Sequence, residues 1–141
     1  MLALRLVFDT NVVVSAALNR DGLPSTVLLI AMTRPARLYV SPKIMMEYVT
    51  VLSRRELGLR RGPRQQLLQL IRNRAHIVHP KRILSVTPDP DDNVFLECAE
   101  AARADYLVTG NLRHYPVFWK STKVINPREF LTLITPHLLS R

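Results

Sequence analysis

"LRLVF", Leu4–Phe8, is a short and mostly apolar run that stops at Asp9. Apolar residues without polar alternation suit a strand buried on both faces, as strands of parallel sheets are. Similar runs follow as "RLYV" (Arg37–Val40), "HIVH" (His76–His79), "YLVT" (Tyr106–Thr109) and "KVI" (Lys123–Ile125). Helical patterns separate them. Asn11 is placed to cap a helix through Leu18, and Leu23–Thr33 reads as another. Ser41-Pro42 opens a third, with Ser as N-cap and Pro in the first turn. Gly62-Pro63 reads as a break before a helix over Arg64–Ala75. A helix from about Asp92 to Arg103 carries Val94, Phe95, Cys98, Ala99 and Ala102 on one face, and Pro127–Leu139 is the last. Strands alternating with helices predict an α/β fold, a parallel sheet covered on both sides. Ligands of such sheets lie beyond the carboxyl ends of the strands. Asp9, which follows the first strand, and Gly110 and Asn111, which follow Tyr106–Thr109, therefore belong to the functional edge.

A chain of 141 residues is long enough for one domain with a real core, taken here as residues 1–141. No window holds the roughly 18 apolar residues of a membrane span. The opening "MLALRLVF" lacks a basic leader and a small-residue cleavage site, so a strand is the better reading. A single cysteine, Cys98, excludes an internal disulfide and fits a reducing cytoplasm. Twenty Lys and Arg against eleven Asp and Glu give a net charge of +9, which attracts polyanions. Many of these cations lie between Arg54 and Arg82, in "RRELGLRRGPR" and at Arg72, Arg74, Lys81 and Arg82. A solvated face is the plain alternative. Nucleic acid is the favoured partner, since no amphipathic helix with bulky anchors points to a membrane surface.

Against that basic background, "TPDPDDNVFLECAE" (Thr87–Glu100) gathers Asp89, Asp91 and Asp92 at one helix start. Capping and turn formation account for such residues singly. Glu47 falls on the border of the apolar face of its helix, where a carboxylate can lean into a cleft or simply face solvent. Carboxylates converging with Asp9 at the sheet edge repel one another unless protonated or bridged by a cation. A hard divalent ion, Mg²⁺ or Mn²⁺, resolves that conflict.

With these pieces in view the chain resembles the PIN-domain family. "VFDTNVVVSA" (Val7–Ala16), "SPKIMMEYVTVL" (Ser41–Leu52), "DPDDNVFLECAEAARADYLVTGNLRHYP" (Asp89–Pro116) and "VINPREFL" (Val124–Leu131) carry the resemblance over nearly the whole chain. It is greatest to the prokaryotic branch of VapC-like toxin components of toxin–antitoxin systems. The resemblance implies an α/β/α sandwich with a parallel sheet of about five strands, and a ribonuclease dependent on Mg²⁺ or Mn²⁺. It maps the catalytic and metal-binding acids onto Asp9, Glu47 and Asp92, leaving Asp89 and Asp91 to the turn and cap. Asn11 and Thr109 match polar positions that orient the site. A cognate antitoxin protein and a homodimer are implied by resemblance alone.

Many members of the family place a further aspartate after the strand that here ends in Thr109. This chain has "TGNLRHY", so Asn111 offers only a neutral carbonyl as a metal ligand, and His114 is a softer ligand than Mg²⁺ prefers. Manganese preference is one expectation from this departure. A PIN-fold module that binds RNA or protein without cutting is the other. No nucleophile elbow, phosphate loop or dinucleotide fingerprint occurs. Cys98 reads as packing, and His76, His79 and His137 lack zinc spacing. Trp119, Tyr115 and Phe118 are placed in core or interface packing in preference to base stacking.

Overall fold

The computed structural model describes residues 3–139. Strand β1 (Arg5–Phe8) leads into α1 (Thr10–Leu18) and α2 (Leu23–Ala31), and β2 (Arg37–Val40) into α3 (Pro42–Leu52) and α4 (Arg61–Arg74). After β3 (His76–Ile77), an irregular segment reaches α5 (Pro90–Ala102), followed by β4 (Tyr106–Val108), β5 (Phe118–Trp119), β6 (Thr122–Ile125) and α6 (Pro127–Leu139). The sheet order is β3-β2-β1-β4-β6-β5. All pairings are parallel except β5 with β6.

The five predicted strands are thus the five parallel ones, and a sixth is added. β5 is an antiparallel edge of two residues, Phe118 pairing with Lys123 and Trp119 with Thr122. It escapes a sequence reading because the hairpin is too short to show a period. Parallel neighbours joined by right-handed crossovers put the β1–β2 and β2–β3 helices on one face. The long crossover from β3 to β4 runs the other way along the sheet and lays α5 against β1, β2 and β4. The result is the expected three-layer α/β/α sandwich.

Burial explains why the strands read as unbroken apolar runs. Leu6, Val7, Phe8, Leu38, Leu107 and Val108 are wholly enclosed between the two helical layers. Tyr48 of α3 is also buried, and its hydroxyl donates to the Phe8 carbonyl. That bond locks α3 to the end of β1, one residue before Asp9.

Several boundaries differ from the sequence reading for local reasons. Asp9, not Asn11, is the N-cap residue of α1, which frees the Asn11 side chain for work elsewhere. Gly62-Pro63 does not break the chain. Both lie in the first turn of α4, where a missing proline N–H leaves no helical bond unmade. α5 begins at Pro90, with the Asp89 side chain accepting from Asp91 N at 2.9 Å as the cap. "HIVH" pairs over only two residues, and α2 stops at Ala31. No helix among the described residues is long and apolar enough to cross a membrane.

Candidate active site

Pairing of β1 with β4 decides the geometry of the sheet's carboxyl edge. Phe8 is in register with Val108, and Asp9 N donates to the Val108 carbonyl at 2.9 Å. Asp9 and Thr109 therefore leave the sheet side by side. Asp9 opens α1 without spending its carboxylate on a cap bond. Instead its Oδ2 accepts from Thr109 Oγ1 at 2.9 Å and from the Tyr115 hydroxyl at 2.7 Å. Its other oxygen takes no hydrogen bond among the described residues.

Thr109 is fully enclosed and works in three directions. Besides donating to Asp9, its oxygen accepts from Asn111 N at 3.0 Å and faces Asn11 Nδ2 at 3.4 Å. Asn11 Oδ1 accepts from Gly110 N at 2.9 Å. A side chain at position 110 would put its Cβ 3.3 Å from that oxygen, so glycine permits the close approach. Asn11 and Thr109 thus clip the β4 loop to the start of α1.

Asp92 reaches the same place from α5. Because Asp89 caps the helix, Asp92 is free to turn inward. Its Oδ1 lies 3.4 Å from the Tyr115 hydroxyl and its Oδ2 3.2 Å from His114 Nδ1. Glu47 comes from α3, its Oε2 accepting from the Thr10 hydroxyl at the first position of α1. The residues flanking Asp9 on the fold therefore hold both other acids.

The electrostatics record the crowding. Burial raises the Glu47 pKa above the ordinary glutamate value; the Thr10 bond opposes this, and Asp91, Asp9 and Asp92 add to it. Burial likewise raises Asp92, with Asp9 and Asp89 adding and His114 and Tyr115 opposing. Burial and the two aspartates push the Tyr115 phenol far up, so it stays a donor. Asp91, which the sequence reading leaves to the turn and cap, is among the charges that raise Glu47.

Two expected residues are placed differently from the three acids. Asn111 is exposed, and only its backbone N–H, through Thr109, is tied to the centre. His114 is half-exposed and pairs with Asp92. Tyr115 is the residue that sequence reasoning missed. It packs in the core, as its sequence reading has it, and its hydroxyl is in addition the one among the described residues that touches both Asp9 and Asp92. "TGNLRHYP" contained its only signal, a phenol adjoining the position where an acid was missing.

As they stand, no three His, Cys, Asp or Glu side chains among the described residues are close enough to enclose an ion. The donor chemistry still fits a hard cation. All three groups are oxygen ligands, Asp9 keeps an unspent oxygen, and each raises or feels the others' charge.

The family model of the PIN domain matches residues 5–113 of this chain, from β1 to the turn after β4. The chain belongs to the PIN domain family. The match spans Asp9, Glu47, Asp92 and Thr109 and ends just before His114 and Tyr115. PIN domains are generally nucleases that use divalent metals and act on nucleic acid. The PIN chain is also 28% identical over 142 residues to an uncharacterized protein of Methanocaldococcus jannaschii, covering 92% of this chain and 91% of the relative.

Proposed function

We propose that this PIN domain is a metal-dependent endoribonuclease, with Asp9, Glu47 and Asp92 as its catalytic acids and Mg²⁺ or Mn²⁺ as its cofactor. The observation that supports it most directly is the meeting of Asp9 and Asp92 at one buried hydroxyl, with Glu47 held beside Asp9 by Thr10. Three repelling carboxylates at a sheet's carboxyl edge are costly to stability and useful to a cation. Asp9, through its unspent oxygen, Asp92 and Glu47 would hold that ion, with Asp91 and the Asn111 carbonyl as further oxygen donors. When bound, it would make a water acidic enough to attack a phosphodiester and would offset developing charge.

The chain's own residues do the rest. Thr109 and Tyr115 fix the Asp9 carboxylate, and His114 fixes Asp92. Thr10 orients Glu47. Lys and Arg side chains bind flanking phosphates of an RNA strand, a screened attraction that weakens with salt. Following the sequence resemblance, the physiological role we propose is the toxin of a toxin–antitoxin pair in the cytoplasm, acting as a homodimer and restrained by a cognate antitoxin.

RNA incubated with the protein, with and without Mn²⁺ or Mg²⁺, tests the reading. Cutting should require metal and vanish in Asp9→Asn and Asp92→Asn. A second reading, a PIN module that binds without cutting, is favoured by the exposed Asn111 standing where another acid is common. RNA binding that survives both substitutions, with no cutting by any form, selects it.

A further inference from the structure

Along α3 and α5, the helices that carry Glu47 and Asp92, lies a cavity of about 250 Å³. It opens between the start of α3 and the segment that follows β3, and its walls include Lys43, His79, Lys81, Arg82 and Glu97. Glu97 is the unusual member. It is 5% exposed, and one carboxylate oxygen accepts from Leu84 N at 3.0 Å. Its other oxygen makes no hydrogen bond among the described residues and is open to solvent. None of the surrounding cations pairs with it, for the ion pairs among the described residues are Arg82–Glu100 and His114–Asp92. An acceptor left open to solvent on an otherwise enclosed side chain is free to take an N–H from a ligand.

The rim asks for the opposite charge. Lys43 and Lys81 are exposed and have no ion-pair partner among the described residues. The N-terminus of α3 also faces this side, capped by Ser41 Oγ from Ile44 N at 3.2 Å and with no acid in its first turn. Helix N-termini attract anions. A ligand that satisfies both must carry an N–H donor at one end and a phosphate at the other. Nucleotides are built that way.

We propose that this cavity holds one nucleotide of the RNA strand, its base amine donating to Glu97 and its phosphate lying between Lys43 and Lys81. The proposal rests on the nuclease reading for its choice of RNA. Spacing supports it: Lys43 is four residues from Glu47 and Glu97 five from Asp92. At 1.5 Å per residue the offsets along the helix axes are about 6–7.5 Å, with Glu97 turned about 140° around α5 from Asp92, so a strand passing the acids reaches the cavity by curving around the helix. His79 offers a ring on which a base can stack. The walls are preformed, because Arg82 Nε donates to Glu100 at 3.0 Å and Leu84 to Glu97. A carboxylate oxygen accepts from cytosine N4 but faces the O4 carbonyl of uracil unfavourably.

Binding of the oligoribonucleotides C8 and U8, measured by fluorescence anisotropy in EDTA so that nothing is cut, tests this. The wild type should favour C8 by about tenfold. In Glu97→Gln, one amide oxygen keeps the Leu84 bond and the amide nitrogen faces the cavity as a donor. The preference should then fall away or turn toward U8. Lys81→Ala should weaken both oligonucleotides alike and reduce the salt slope by about one, without changing their ratio. Equal binding of C8 and U8 by the wild type overturns the proposal, as does a preference that Glu97→Gln leaves intact. Should Glu97→Gln fail to fold, the wild-type ratio and the Lys81→Ala salt slope still decide. Metal-dependent cutting with no such preference sinks the pocket alone. A Glu97-dependent preference with no cutting sinks the nuclease reading and keeps the pocket.

Discussion

The Tyr115 hydroxyl donates to Asp9 Oδ2 at 2.7 Å and lies 3.4 Å from Asp92 Oδ1, so one buried phenol spans two acids 83 residues apart in the chain. A hydroxyl has a single proton to give, and the shorter contact receives it. Tyr115→Phe should destabilise the metal-free protein by about 1.5–3 kcal/mol, the worth of a bond to a charged acceptor. In an Asp9→Asn background the cost should shrink, because the charged acceptor is gone. Urea unfolding of the four proteins in EDTA measures this. Equal costs in both backgrounds would mean the phenol only fills space.

A cation that relieves repulsion among Asp9, Glu47 and Asp92 binds the native state and not the unfolded chain. At a hundredfold excess over its Kd, Mn²⁺ or Mg²⁺ should add about 2.7 kcal/mol, seen as a rise of several degrees in Tm. Asp9→Asn and Asp92→Asn should melt above the wild type in EDTA and gain little from metal. Thermal scans that show the same metal shift in all three proteins place the ion elsewhere.

The raised pKa values of Glu47 and Asp92 fix the sign of a pH effect. Between the ordinary carboxylate range near about 4 and the raised folded values, the native protein holds more protons than the unfolded chain. Stability contributed by these groups is therefore present at low pH and lost as pH rises through that window. Measured in EDTA against Glu47→Gln, the wild type should lose ground from about pH 4 upward and then level off. A flat difference across that range, or a rising one, contradicts the crowded-acid account.

Cys98 lies wholly inside the core, and burial lifts its thiol to about 12. A thiol held protonated reacts slowly. Native protein should resist iodoacetamide at neutral pH and react at once in denaturant, as mass spectrometry would show. Rapid labelling of the folded form would reveal opening of α5.

Hydrophobic pattern alone determined the five parallel strands and the layer that covers each side. The central strands, Leu4–Phe8 first among them, are apolar at their inward positions because both faces are buried, whereas the edge strand at His76–Ile77 is exposed. Local chemistry was legible too: Ser41-Pro42 opens α3 as expected, since capping involves neighbours in sequence. Asp9 stood out at a strand's end, but the choice of Asp9, Glu47 and Asp92 among eleven acids came from the family resemblance. Gly62-Pro63 misled, because a breaker and a first turn share the same residues.

Only the tertiary structure decided what those acids touch. Register between β1 and β4 brings Thr109 and Asp9 together, and the turn after β4 returns Tyr115 to them. Asp91 joins Glu47's surroundings, and Glu97 meets the segment after β3, through packing of α5 across the sheet. Such contacts join residues distant in sequence, and spacing along a chain carries no record of them. Polar periodicity marks where a side chain is wet; the partner it meets depends on the path of every strand between.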